Sequence, residues 1–123
     1  MPHYRDSATL TQQRKGGALM LGLVVRFDLP DEESAARFDQ LTAEAVAQIT
    51  AKEPGTLTYI THVVAGQPLS RLFYELYADE AAFQRHEEAQ HVIDFHARKN
   101  PLLAGEPSVQ FLTPGPGKGL PTT

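Results

Sequence analysis

The sequence predicts one α+β domain whose elements follow the order βαββαβ. Two observations support this. Strand-like runs rich in β-branched and aromatic residues alternate with helical apolar stripes, and proline and glycine separate the segments. The 123 residues suit one core, and 41% apolar against 21% charged residues argues against global disorder. This order is the split βαβ, ferredoxin-like arrangement, so we expect a four-stranded antiparallel sheet.

The first half of the chain predicts a strand followed by a long helix. Residues 19–29 are aliphatic and β-branched, and Pro30 ends that run. Asp31 can cap a helix that continues to about Lys52, where residues 54–55 (Pro-Gly) stop it. Spacings of three and four residues place on one helical stripe Phe38, Leu41, Ala45 and Ile49.

The second half predicts a hairpin, a helical region and a last strand. Residues 56–64 and 71–78 are the two hairpin strands, with turn residues at 65–68. Asp79 can cap the second helical region, which we expect to bend near His91 and to end before Gly105. Ser108–Leu112 reads as a short strand. We therefore expect a flexible extension over 1–18, the domain over 19–113 and a flexible tail over 114–123.

Composition and motifs exclude several classes of function. The net charge of −4 makes nucleic acid or an anionic membrane surface a poor partner. We find no signal peptide or membrane span, and the absence of cysteine fits a cytoplasmic protein. His86 and His91 are five apart, which in one continuous helix separates them by about 140°, so they do not form a zinc-protease motif. There is no dinucleotide or phosphate-loop fingerprint, so any redox chemistry would have to rely on the substrate or on a haem.

The hairpin offers candidate catalytic groups. A register that pairs Val64 with Arg71 places on one sheet face Thr58, Ile60, His62, Phe73, Glu75 and Tyr77. A histidine beside a carboxylate could act as a general base. The alternative, an ordinary cross-strand polar pair, stays open. His86 lies one helical turn after Phe83 and should point the same way.

The other sheet face indicates a second copy of the chain. In the same register it carries Leu57, Tyr59, Thr61, Val63, Leu72, Tyr74 and Leu76. Helices can cover only one face of a four-stranded sheet, and an apolar patch of this size is rarely left exposed. We therefore expect a homodimer that forms face to face through the sheets.

Several of these segments resemble the antibiotic biosynthesis monooxygenase (ABM) family. The similarity covers about residues 19–112 and rests on the turn EPGTLTY (53–59), the run FYELYADEAAF (73–83) and the spacing of His62, His86 and His91. The resemblance implies a dimeric α+β barrel with a pocket between sheet and helices. Some members oxidise phenols, anthrones or quinols with molecular oxygen and no cofactor.

What the resemblance implies for individual residues is as follows. His62 would be the base, and Glu75 and His86 would orient one another or the substrate. The pocket for a small aromatic substrate would be lined by Phe73, Tyr77, Phe83 and His91. Tyr77 stands where many members carry tryptophan.

Three alternatives follow from the same resemblance. Haem-degrading relatives ligate iron through a histidine late in the second helical region, a place that His96 would occupy. Another branch isomerises phosphorylated sugars and would need basic residues around the pocket. The domain could also bind a small ligand without catalysis, because a fold does not fix a function.

Overall fold

The structure is a computed structural model that describes residues 19–121; the N-terminal extension predicted for residues 1–18 lies outside this range. The predicted order of elements is confirmed. The bounds are β1 Leu21–Asp28, α1 Glu32–Lys52, β2 Thr56–Val64, β3 Gln67–Tyr77, α2 Glu80–Glu88, α3 Gln90–Lys99, a 3₁₀ turn Asn100–Leu102 and β4 Ser108–Leu112. Beyond β4, residues 113–121 form neither helix nor strand.

The four strands form one sheet in the order β2-β3-β1-β4, and every neighbouring pair is antiparallel. The helices pack on one face of this sheet, and the core between the two layers is aromatic and aliphatic. This is the ferredoxin-like α+β fold that the sequence predicted. Among residues 19–121 the structure contains no helix that is both long enough and apolar enough to cross a membrane.

The helix starts follow the predicted capping chemistry. Asp31 Oδ1 accepts a hydrogen bond from the Ser34 backbone N–H at 2.8 Å, and Asp79 Oδ1 accepts from that of Ala82 at 2.8 Å. The second helical region breaks at Ala89, two residues before His91 and close to the predicted bend. Ala89 has an extended backbone (φ −67°, ψ 135°), so α2 and α3 are separate helices with different axes.

The hairpin register differs by one residue from the prediction. A two-residue turn at 65–66, with Gly66 at φ 77°, closes directly after β2 and pairs Val64 with Gln67. Residues 68–70 are then extra on β3, and the regular ladder resumes with Val63 opposite Arg71. The predicted pairing of Val64 with Arg71 is therefore wrong.

This shift moves His62 to the other face of the sheet. Phe73 lies opposite Thr61, and His62 lies opposite Leu72. The sequence predicted that His62 shares a face with Phe73 and Glu75. Because side chains alternate along a strand, His62 instead lies on the opposite face. The His62 side chain is exposed, and its Nδ1 lies 2.9 Å from the Leu72 carbonyl oxygen.

The open sheet face is partly apolar, but its membership also shifts by one on β2. Ile60 is 50% exposed and Leu112 38% exposed. Around them on this face lie Val24, Leu72, Tyr74 and Leu76, whereas Tyr59, Thr61 and Val63 face the helices. An apolar face without helices is thus present.

Candidate functional site

The turn between α1 and β2 packs tightly against α2. Glu53 caps α1 through its backbone N–H, which donates to the Ile49 carbonyl at 3.0 Å. Gly55 lies so close to α2 that an added Cβ would stand 2.7 Å from the Ala82 Cβ and 3.2 Å from Arg85 Nη2. Glycine is required at this position because of that close approach, and the approach brings the Glu53 side chain to α2.

Glu53 is the centre of a buried hydrogen-bonded cluster, which we call the Glu53 cluster. Its Oε1 accepts from His86 Nδ1 at 2.7 Å and from Thr56 Oγ1 at 2.7 Å, and its Oε2 accepts from His91 Nε2. The side chains are 8% exposed for Glu53, 4% for His86 and 14% for His91. The extended backbone at Ala89 allows two histidines five residues apart to reach one carboxylate.

The charges in this cluster determine where the protons lie. Burial raises the pKa of Glu53, but the hydrogen bond and charge of His86, with further hydrogen bonds from Thr56 and His91, lower it to about 2. Burial lowers the pKa of His86, but the Glu53 hydrogen bond and the negative charges of Glu75 and Glu53 raise it overall. A carboxylate can only accept, so His86 donates to Glu53 from Nδ1 and His91 donates from Nε2. When the His86 ring is neutral, its lone pair therefore lies on Nε2. In a neutral His91 ring the lone pair lies on Nδ1.

A second acid lies behind this cluster. The Tyr77 hydroxyl donates to Glu75 Oε1 at 2.6 Å, and the Tyr77 ring centre is 5.2 Å from that of His86. Burial raises the pKa of Glu75, and burial together with the charge of Glu75 raises the pKa of Tyr77 well above 10. Glu75 acts on His86 through charge, whereas the hydrogen-bond partner of His86 is Glu53.

The structure therefore separates the predicted site residues into two groups. The first group lies in and beside the Glu53 cluster and consists of Glu75, Tyr77, His86 and His91. Phe83 packs on this group, with its ring centre 5.2 Å from that of Tyr77. The second group consists of Phe73 and His62. Phe73 is a core residue at 1% exposure. Both residues border a cleft of about 460 Å³ between α1 and the hairpin.

A cleft of about 280 Å³ opens onto the Glu53 cluster, and we call it the Glu53 cleft. One wall is the turn between α1 and β2, and the other is formed by α2, α3 and the residue between them. The lining residues are Lys52, Glu53, Pro54, Gly55, Thr56, Ala82, Arg85, His86, Ala89 and His91. Lys52 and His91 also border a groove of about 570 Å³ between α1 and α3. A small ligand in the Glu53 cleft would therefore meet two imidazoles and two cationic side chains.

The haem alternative does not fit the surroundings of His96. Lys99 Nζ lies 2.8 Å from His96 Nδ1, and an ammonium can only donate, so Nδ1 is the acceptor. The neutral ring then carries its proton on Nε2 and has no lone pair left for iron. Burial and the Lys99 charge lower the pKa of His96 to about 3, and burial lowers that of Lys99 to about 8. Within residues 19–121 no group of three or more His, Cys, Asp or Glu could hold a metal ion.

Glu53 is the functional candidate that the sequence reading did not single out. It was part of the turn motif 53–59, without a role. One signal could have found it: a carboxylate at the C-terminal end of a helix faces the negative end of the helix dipole, which is unfavourable. Such a residue needs nearby positive charge or donors, and His86 and His91 supply them.

The fold and this cluster define a ferredoxin-like α+β domain with a buried carboxylate–imidazole site beside its long helix. The model of the family described as antibiotic biosynthesis monooxygenase matches residues 20–98, and the chain belongs to that family. No curated protein matches the sequence.

Solved structures share the fold. A Caulobacter crescentus CB15 protein, whose own assignment as an antibiotic biosynthesis monooxygenase is provisional, is 25% identical with a TM-score of 0.76, over 80% of this chain and 92% of its own. A conserved protein of Methanosarcina mazei Go1 is 19% identical with a TM-score of 0.72, over 78% of this chain and 93% of its own. Rv0793 of Mycobacterium tuberculosis is 20% identical with a TM-score of 0.71, over 80% of this chain and 97% of its own.

Proposed function

We propose that this protein is a monooxygenase that oxidises a quinol or polyketide-like aromatic with molecular oxygen and without metal or organic cofactor. The observation that carries the proposal is the Glu53 carboxylate, which orients His86 and His91 at the floor of a cleft. A carboxylate behind an imidazole fixes the tautomer and increases the basicity of the opposite ring nitrogen. Membership of the family supports this class of reaction.

The reaction needs a base and a site sheltered from water. In an anthrone-type substrate, His86 Nε2 would remove a proton from the CH₂ group, which leaves an electron-rich carbanion. The carbanion reduces oxygen and forms a C–O bond, and protonation gives a hydroperoxide. Loss of water then leaves a carbonyl, so CH₂ and O₂ become C=O and H₂O. The substrate supplies all four electrons, and the protein supplies deprotonation and orientation.

Replacing His86 by asparagine is expected to lower oxygen uptake about 100-fold or more. The asparagine amide can still donate to Glu53 from the place of Nδ1, but it has no basic nitrogen in the place of Nε2. The measurement is oxygen consumption by the metal-stripped protein with a panel of anthrones and quinols. Thermal unfolding should confirm that the variant is folded.

His62→Asn is the matched comparison. His62 is the base that the family resemblance implies, but its exposed ring lies on the sheet face away from Glu75. Uptake that persists in His62→Asn and is lost in His86→Asn supports the assignment to His86. The reverse result would transfer the role of base to His62. Background uptake by the unsubstituted protein with every substrate would leave a small-ligand binding domain.

We also propose that a second copy of the chain covers the open sheet face. Ile60 and Leu112 are large, apolar and partly exposed there, and Val24, Leu72 and Tyr74 connect them across the sheet. A polar end formed by Arg26, Asp28 and Ser70, which hydrogen-bond with one another, borders this patch.

Cytoplasmic location, which the sequence predicts, stays a prediction.

Replacing Ile60 by glutamate is expected to convert the dimer to a monomer at micromolar concentration. Burying an unpaired carboxylate in an apolar interface costs several kcal/mol. Val63→Glu is the control, because Val63 lies on the same strand and is 57% exposed but faces the other side of the sheet. Sedimentation velocity measures both. A monomeric unsubstituted protein, or dissociation in both variants, would contradict the proposed interface.

A further inference from the structure

Arg85 differs from the other arginines that the structure describes. Within residues 19–121, Arg26, Arg71 and Arg98 each form an ion pair with an acidic side chain, and Arg37 donates to Gln40. Arg85 forms no hydrogen bond or ion pair with any residue in that range. Its guanidinium is therefore available to a ligand.

The position of Arg85 is built by the turn that carries Glu53. Arg85 projects from α2 beside Gly55, and its Nη2 lies 3.2 Å from where a Cβ at that glycine would stand. It lines the Glu53 cleft together with Lys52, which approaches from the end of α1. Two cationic side chains thus border a cleft whose floor holds His86 and His91.

The acidic group in the cleft does not pair with either of these cations. Glu53 Oε1 already accepts from His86 and Thr56, and Oε2 accepts from His91. Glu87 also acts on His86 through its charge, but it does not line the cleft. The cleft therefore offers positive charge and hydrogen-bond donors, although the chain as a whole carries a net charge of −4.

We propose that Arg85 selects an aromatic ligand that carries a carboxylate, such as a quinol carboxylate. A guanidinium matches a carboxylate with two parallel hydrogen bonds, and Lys52 adds attraction at longer range. With the carboxylate on Arg85, the ring lies in the cleft next to His86 and His91. That this ligand is the substrate rests on the proposed function, but its binding does not.

Binding is measured by isothermal titration under argon, where oxygen-dependent turnover cannot occur. The ligands are gentisate, a quinol carboxylate, and hydroquinone, which lacks the carboxylate. We expect gentisate to bind about tenfold more tightly, as one charge-assisted contact at a partly solvated site would give. The Arg85→Gln protein should lose most of this preference, with Lys52 leaving a small remainder, and added salt should reduce the preference in the unsubstituted protein.

Arg98→Gln is the matched control, because Arg98 is exposed, lies in the neighbouring groove and pairs with Glu44 at 3.8 Å. It should keep the preference for gentisate. Equal or absent binding of the two ligands by the unsubstituted protein, or a preference that is undiminished in Arg85→Gln, would overturn the inference. If inorganic phosphate displaced gentisate more strongly than benzoate did, Arg85 would bind a phosphoryl group. That result would overturn the proposed preference for a carboxylate.

The proposed function and this inference can fail separately. Preferential binding of gentisate without oxygen uptake by any substrate would contradict the oxygenase and retain the carboxylate preference. Oxygen uptake with equal rates and affinities for charged and uncharged quinols would retain the oxygenase and contradict the role of Arg85.

Discussion

Glu53→Gln is expected to lower the free energy of unfolding at neutral pH by about 2–4 kcal/mol, because the variant replaces a buried carboxylate that three donors satisfy. The glutamine oxygen can accept from His86 and Thr56, but its NH₂ group faces the donor on His91. Urea unfolding at fixed protein concentration measures the loss.

The same substitution should remove part of the acid sensitivity of the fold. The pKa of Glu53 is lowered to about 2 from its ordinary value of 4.5, so its contribution is complete above about pH 5. That contribution is lost as the pH falls from about 4.5 towards 2. The pKa of His86 is raised, so its contribution is present below its ordinary value of 6.5 and is lost as the pH rises through its higher folded value. The pair therefore stabilises the fold most between about pH 5 and 6.5.

Glu44→Gln is the control for both effects. Glu44 lies on the same helix, its side chain is 55% exposed and its ion pair with Arg98 is long at 3.8 Å. Its replacement should change the free energy of unfolding by less than about 0.5 kcal/mol at any pH. If Glu53→Gln unfolded with the same pH profile as the unsubstituted protein, the Glu53 cluster would not be the ion pair that we describe.

Phe73→Ala is expected to cost about 3–5 kcal/mol of stability, the range for removing a fully buried phenylalanine. Phe73 is 1% exposed, and its ring centre lies 4.8 Å from that of Phe27 and 5.8 Å from those of Phe38 and Tyr59. Its loss leaves a cavity among these rings. Chemical denaturation at one protein concentration gives the value.

The result distinguishes a core role from the pocket-lining role that the family resemblance implies. Ile60→Ala, on the neighbouring strand but half exposed, should cost less than about 1 kcal/mol at concentrations where the oligomeric state is unchanged. A cost below about 1 kcal/mol for Phe73→Ala would mean that its surroundings are loose or hydrated, as in a ligand pocket. Such a result would contradict the packed core.

Features that depend on short stretches of chain were predictable from the sequence. Asp31 and Asp79 cap their helices because a short carboxylate reaches backbone N–H groups three residues on. The apolar stripe of α1 is buried as its spacing predicted, and the last strand has the predicted bounds Ser108–Leu112. Periodicity is a local property, so one sequence suffices to read it.

The hairpin register could not be read in this way. The predicted partners of β2 differ by one residue because Gly66 closes a tighter turn and three extra residues follow on β3. Side chains alternate between faces, so this small shift places His62 on the open face and Tyr59 towards the helices. Which side chains share a face of the hairpin therefore depends on both the turn at Gly66 and the extra residues 68–70 on β3.

The sequence by itself determined the order of the elements, most of their ends and the family. Only the tertiary structure showed that Glu53 joins His86 and His91, which follow it by 33 and 38 residues. That cluster depends on the close packing at Gly55 and on the extended residue Ala89 between α2 and α3. Contacts of this kind follow from how whole elements pack, and no periodicity along the chain records them.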